Sequence, residues 1–360
     1  MTNTNYYFIA SPLHLLFSVV KALENKQQRN IAVIDYYLES NRKLFTDVLQ
    51  QGDIFETVIS FDDSHIKSKV TKRKARLKIL SELVAQTPPS RIYTGSDRSL
   101  EFQYCMHLSN KNGRTVAGEY LDEGTQTYLG HRYMHKFVHL YVEPLLKKLA
   151  YGWWWKSPKM IGASGWIKTI HATFPELVHP VLRDNKQKQI KAISHEQFAT
   201  PEFAAFTNKL MELSDINPVP LQNVDYVILL TGDSFYTDVR AHLNKLLDVL
   251  TKKTSKDRIA LKPHPRSEHL AEFKREHPEL VHIDNRVGFE LLLSQFPENC
   301  TFIGDVSSTL FTIRWLNQNQ KVLAVKLQQK TPDHFVQPLA NLLSSVNVPQ
   351  LSYDELENLL

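Results

Sequence analysis

Short apolar runs alternate with longer amphipathic ones along most of this chain, and that alternation constrains the fold more than any other feature. Residues 6–10, 31–34, 54–60, 91–93 and 115–121 read as strands, and residues 42–49, 100–107 and the basic run to about residue 84 read as helices. Ser11 and Pro12 open a further helix, as N-cap and first helical residue, ahead of Leu13, Leu16, Val19 and Val20. Strands alternating with helices imply βαβ units and a parallel sheet. Across residues 128–217 the pattern lapses into an aromatic- and histidine-rich stretch, expected to be helical with loops. It restarts at Asp225, with strands at 226–230, 259–262, 281–283, 300–303 and 321–325 and helices at 238–250, 288–295 and 308–317. Two such halves predict an α/β protein of two Rossmann-like domains facing across a cleft. The expected domains are residues 1–217 and 218–360, parted where Pro218 and Pro220 stop any helix.

Composition narrows the function classes. The 360 residues carry only 12 glycines and neither a GxGxxG nor a GxxxxGK[ST] segment. That argues against a nicotinamide dehydrogenase and a P-loop ATPase, and leaves any nucleotide to side chains and helix N-termini. Two cysteines, Cys105 and Cys300, are too few for a disulfide framework and fit a reducing compartment. Neither has a partner at zinc-ligand spacing, so no structural metal is expected. The start of the chain reads as neither signal peptide nor membrane span, and a cytoplasmic protein is expected. A formal net charge of +5 is modest, and no nucleic-acid partner is expected.

Three segments place polar groups where a strand leaves a sheet, the edge at which open α/β sheets bind ligands. The first is Asp122-Glu123-Gly124, where the glycine permits a tight turn and one of two carboxylates can act as a general base. A solvated turn with an acidic helix cap fits the same residues. The second is Lys262-Pro263-His264-Pro265-Arg266. Flanking prolines fix the direction of His264, whose ordinary pKa near 6.5 suits an acid beside a phosphate, and Lys262 two residues earlier points to the same side. A structural His-Pro turn is the competing reading. The third is Ser307-Ser308-Thr309 ahead of an apolar helix, which forms an anion site or simply caps the helix. Glu290, on the helix expected at 288–295, is placed to meet ribose hydroxyls or to face solvent.

In this order and spacing the three segments resemble the bacterial sialyltransferases. These are the lipooligosaccharide sialyltransferases of glycosyltransferase family 52, the capsular polysialyltransferases, and the marine and Pasteurella-type enzymes. Ser11-Pro12-Leu13-His14 is similar to that clan's first strand–helix junction, which faces the sugar. The likeness consists of four islands between residues 11 and 309.

The resemblance implies a GT-B fold, a CMP-activated sialic acid or related nonulosonic acid as donor, and inversion at the anomeric carbon. It further implies a hydroxyl of a lipooligosaccharide or capsule glycan as acceptor, with no metal or other cofactor. By the same resemblance Glu123 or Asp122 is the base and His264 the acid. Lys262, Pro265, Glu290, Ser307, Ser308, Ser11 and Pro12 hold the donor. The N-terminal domain takes the acceptor and the C-terminal domain the CMP moiety. The acidic motif reads Asp-Glu-Gly here and Asp-Asp-Gly in the marine enzymes, which leaves the choice between Asp122 and Glu123 open. The rivals are a same-fold transferase using another nucleotide sugar, such as UDP-glucose, and a non-catalytic scaffold of glycan assembly.

Two basic stretches complete the reading. Lys67, Lys69, Lys72, Arg73, Lys74, Arg76 and Lys78 fall within twelve residues, and Lys147, Lys148, Lys156 and Lys159 surround Trp153, Trp154 and Trp155. Both suit peripheral contact with an anionic membrane, at the inner membrane for a cytoplasmic protein, where indole rings sit at headgroup level. The first run also suits a polyanionic acceptor. Solvated helix faces beside buried tryptophans are the competing reading, and the usual one for charge runs.

Overall fold

The computed structural model describes residues 3–35, 39–63, 65–111, 113–130, 138–214, 220–233, 236–264, 267–284, 288–326 and 336–360. The chain divides into two compact units, Met1–Asp215 and Ile216–Leu360. The boundary expected at residue 217, and Pro218 with it, lies outside the described residues.

The first unit is a parallel sheet of β1 (Thr4–Ile9), β2 (Arg29–Ile34), β3 (Thr57–Ser60), β4 (Arg91–Thr94), β5 (Ala117–Leu121), β6 (Ile167–Ala172) and β7 (Gln189–Ala192). Their order is β3-β2-β1-β4-β5-β6-β7. The second unit is a parallel sheet of β8 (Tyr226–Leu229), β9 (Ile259–Lys262), β10 (Val281–His282), β11 (Thr301–Gly304), β12 (Lys321–Val325) and β13 (Gln350–Leu351), in the order β10-β9-β8-β11-β12-β13. Central strands are buried on both faces, as β1 is at all six positions, and therefore read as largely apolar runs, Tyr6–Ile9 in β1. In the second unit the helix Val239–Leu250 presses Leu243, Leu246 and Leu250 onto Ile228, Leu261 and Ile303 of the sheet. Each such side chain contributes roughly 1.5–3 kcal/mol by leaving water.

Parallel pairing puts every strand's C-terminal end on one edge of its sheet. The strand order reverses between β1 and β4 in one sheet and between β8 and β11 in the other, which are the switch points at which such sheets hold ligands.

Three segments differ from expectation. Residues 128–217 contain β6 and β7, which extend the first sheet. β7 is a largely exposed edge strand of sequence QIKA, and β6 carries the buried Thr169 and His171, so neither shows a clean apolar pattern. His171 reaches Glu119 of β5 at 2.8 Å, a polar tie that hydrophobic periodicity does not reveal. The helix expected at 288–295 is two single 3₁₀ turns, Phe289–Leu291 and Leu293–Gln295. The strand expected from residue 54 starts at Thr57.

Candidate functional site

In the first unit the site begins where β1 ends. Ser11 caps the helix Pro12–Glu24 by accepting the His14 N–H at 3.1 Å, and Pro12 supplies the first turn. This start aims His14, itself 1% exposed, along the switch point toward β4 and β5. Gly95 follows β4, and a β-carbon there would stand 1.8 Å from His14 Nε2, so only glycine leaves room for the imidazole. His14 Nε2 meets Glu123 Oε2 at the exit of β5, while Nδ1 has no hydrogen-bond partner among the described residues.

The two adjacent carboxylates differ in burial and in partners. Asp122 is fully buried. Its Oδ2 accepts from the Tyr128 hydroxyl and from the Thr173 N–H and hydroxyl, each of the latter at 2.9 Å, and its Oδ1 accepts the Gly124 N–H at 2.9 Å. Burial raises its carboxyl above the usual range against the pull of these donors. Gly124 turns the chain at φ +66°, which a side chain would strain. Glu123 is held through its backbone, whose N–H donates to Thr127 Oγ1 at 3.1 Å, and its partly exposed side chain is left to His14.

The basic run of residues 67–78 is partly spent on structure. On the helix Lys69–Gln86, Arg76 bonds Asp63 at 2.5 Å and Asp35 at 2.8 Å, and Arg73 bonds Glu101 at 2.5 Å. Asp63 and Glu101 are buried acids of the same sheet edge, so these guanidinium groups lock the helix to it.

In the second unit, β9 ends at Lys262, which is buried and whose ammonium donates to the Pro263 carbonyl at 3.3 Å. Burial lowers the ammonium to about 8, and the nearby carboxylates of Glu290 and Asp284 pull the other way. Burial also raises the Glu290 carboxyl, with Lys262 opposing. The structure thus brings Glu290 and Lys262 together. His264 is half-buried, and its carbonyl accepts the Ser267 N–H at 2.9 Å; Pro265 and Arg266 lie outside the described residues. Asp233, just past β8, takes the Ser267 hydroxyl at 2.8 Å and so ties the β8 and β9 exits together.

At the β11 exit stands Asp305, fully buried. Its Oδ2 accepts from the Tyr236 hydroxyl, from the Thr231 hydroxyl at 2.8 Å and from the Thr231 N–H at 3.2 Å. Burial pushes its carboxyl up to about 6. Two residues on, Ser307 is the N-cap of the helix Ser308–Leu316, yet its hydroxyl makes no capping bond and is buried without a partner among the described residues. A buried hydroxyl at a helix N-terminus, beside exposed Ser308 and free N–H groups, is suited to an anion.

Sequence reasoning missed the partners. His14 stood in a quoted segment without a role, and Gly95, Tyr128, Thr173, Asp233 and Asp305 carried none. The available signal was positional, since Gly95, Thr173, Asp233 and Asp305 all follow the end of a strand within a few residues.

Two parallel-sheet α/β units of this kind, with polar strand exits, are those of the GT-B fold. Residues 6–326 match the Alpha-2,8-polysialyltransferase (POLYST) family, so the chain belongs to that family and is a sialyltransferase. Among solved structures it is similar to the α/β-galactoside α-2,3-sialyltransferase of the luminous marine bacterium Photobacterium phosphoreum. That match has 13% identity and a TM-score of 0.62, and covers 99% of this chain and 100% of the other. The GT-B domain of a Photobacterium damselae sialyltransferase matches at 14% identity and TM-score 0.55, covering 98% and 100%. A UDP-N-acetylglucosamine 2-epimerase matches at 11% identity and TM-score 0.55, covering 100% and 86%. At these identities the structures share the fold. No curated protein matches the sequence.

Proposed function

We propose that the protein moves sialic acid, or a related nonulosonic acid, from its CMP derivative to a hydroxyl of a surface glycan, with inversion at the anomeric carbon. The observation that carries this reading is Glu123, an accessible carboxylate at a strand exit, fixed by His14 and set beside an aspartate whose oxygens are already taken. Glu123 accepts the proton of the acceptor hydroxyl as that oxygen bonds to the anomeric carbon. The bond from that carbon to the CMP phosphate oxygen breaks, its electron pair leaves on the phosphate, and His264 supplies a proton there. The transition state has oxocarbenium character, as in other inverting glycosyl chemistry. Lys262, Ser307, Ser308 and the helix N-terminus offset the phosphate charge, and Glu290 and Pro265 complete the CMP contacts. Ser11 and Pro12 set the junction that carries His14, and Asp122 holds the turn.

The N-terminal unit takes the acceptor and the C-terminal unit the CMP moiety. The family's description supports a sialylated acceptor chain, as in lipooligosaccharide or capsule. Two buried free thiols, Cys105 and Cys300, support a reducing, cytoplasmic setting.

Donor hydrolysis without acceptor tests the reading. With EDTA present, CMP-sialic acid should be cleaved to CMP and UDP-glucose left intact, and mass spectrometry of a panel of galactosides and sialosides should then show one added sialic acid residue or more. Cleavage of UDP-glucose with CMP-sialic acid untouched would establish the rival donor, and binding without turnover of either would establish a scaffold.

A further inference from the structure

Residues 138–151 form one continuous helical segment, a π-helical turn Val138–Val142 running into the α-helix Glu143–Tyr151. Val138, Tyr141, Leu145, Leu146 and Leu149 recur at helical spacing, and Trp153 follows one step beyond. A stripe spaced this way is what a helix ordinarily buries. Here it faces outward, from 51% exposed at Leu145 to 75% at Trp153. Seven of the eleven large hydrophobic side chains exposed among the described residues fall between 138 and 153, so this is a patch and not the usual scatter.

The charges around the patch select its partner. Residues 138–160 contain Lys147, Lys148, Lys156 and Lys159 and a single acid, Glu143. That acid is neutralised by Lys147 at 2.7 Å and Arg98 at 3.4 Å. Lys148 Nζ lies 5.6 Å from the Trp153 ring, which puts an ammonium beside the most exposed indole. The three tryptophans divide: Trp153 is open, while Trp155 is 1% exposed under the Lys147 ammonium. A second copy of the chain on this face would set lysines against lysines, which opposes association. A surface of phosphate headgroups over acyl chains satisfies both features at once.

We propose that the helical segment at 138–151 and Trp153 dock the protein on an anionic lipid bilayer. Leu145, Leu146, Leu149 and Trp153 enter the interface, and Lys148, Lys156 and Lys159 lie at the phosphates. The contact is peripheral, since no helix of the described residues is long and apolar enough to cross a membrane. In the other basic run Arg73 and Arg76 are bound to carboxylates of the sheet edge, while Lys67, Lys69, Lys74 and Lys78 stay exposed.

The test reads binding alone and is independent of the donor or acceptor. The whole protein is co-sedimented with phosphatidylcholine vesicles with and without phosphatidylglycerol. Binding should be at least about tenfold tighter with the anionic lipid and weaken with salt. The double variant Leu145→Glu/Leu149→Glu, altered only at exposed positions, should lose it while keeping the wild-type circular dichroism spectrum and Tm. Brominated lipid should quench tryptophan emission in the wild type and much less in Trp153→Phe. Three outcomes overturn the proposal: no preference for phosphatidylglycerol, unchanged binding of the double variant, or a dimer in sedimentation velocity that the double variant splits without any vesicle binding.

Discussion

Asp122 and Asp305 make the same set of hydrogen bonds through Oδ2 in the two units, one past β5 and the other past β11. Each is the first residue past a buried parallel strand, and each turns Oδ2 to one tyrosine hydroxyl and to the hydroxyl and N–H of one threonine. In both units that threonine stands just past the neighbouring strand, Thr173 after β6 and Thr231 after β8, so the aspartate fastens two strand exits together. The units differ at the other oxygen. Asp122 Oδ1 takes the Gly124 N–H, whereas Asp305 Oδ1 has no partner among the described residues.

Burial gives Asp305 a pH signature. Its folded carboxyl titrates at about 6 against an ordinary 3.8, so between those values the folded state holds more protons than the unfolded one. Stability therefore falls as pH rises across that window, by on the order of 3 kcal/mol. Asp305→Asn keeps an oxygen for the three donors and removes the charge. Its stability relative to wild type should improve from about pH 4 to about pH 6, as measured by urea unfolding at the two ends. A constant difference across the window would show that Asp305 does not titrate there.

Asp122 and Glu123 should separate when mutated. Glu123→Gln should lower kcat by about 10²–10⁴ with little change in Tm, because its side chain is partly exposed and only its backbone holds the turn. Asp122→Asn should instead cost about 1–3 kcal/mol of stability by facing an amide toward N–H or O–H donors. A large loss of turnover in Asp122→Asn at unchanged Tm would move the base to that residue.

Gly95→Ala tests His14 without touching a carboxylate. The added methyl takes the space of the imidazole, so His14 must leave Glu123. If His14 positions the base, kcat should fall at least about tenfold with donor KM nearly unchanged. Retained kcat would make His14 a packing residue only.

The fold was legible because its central strands are short, buried on both faces and bounded by amphipathic helices. β9 and β12 match their expected residues, Ile259–Lys262 and Lys321–Val325. β6 and β7 were not legible, since one buries Thr169 and His171 and the other is a polar edge. For the site, the sequence supplied strand-exit positions but not pairings. Asp122 and Glu123 look alike on paper; Tyr128 and Thr173 set them apart, and Thr173 is 51 residues away along the chain. Ser307 read equally as a cap or a ligand, and only the structure shows a hydroxyl that caps nothing.

His264→Ala should lower turnover about 10²-fold or more while leaving donor binding within a few-fold. In the proposed mechanism donor binding rests largely on the ammonium of Lys262 and the helix N-terminus, neither of which the substitution reaches. A donor whose leaving group needs no proton should recover most of the lost rate. Near-wild-type turnover of the variant on CMP-sialic acid would falsify the role of His264 as acid.

Lys262 should give activity and stability opposite slopes with pH. Burial holds its folded ammonium at about 8, so the free enzyme loses this positive charge as pH rises through that value. kcat/KM for the donor, which reports the free enzyme, should fall above about pH 8. Lys262→Arg keeps its charge there and should flatten the limb, even where its different shape lowers the plateau. Stability moves the other way. An unfolded lysine stays protonated up to its ordinary 10.5, so between about 8 and 10.5 the unfolded state holds more protons and the Lys262 contribution stabilises the fold as pH rises. A fall of kcat/KM in step with a fall of the Lys262-dependent part of Tm would mean general alkaline unfolding. A fall against a rising contribution, absent in Lys262→Arg, is the signature of a buried ammonium at the donor phosphate.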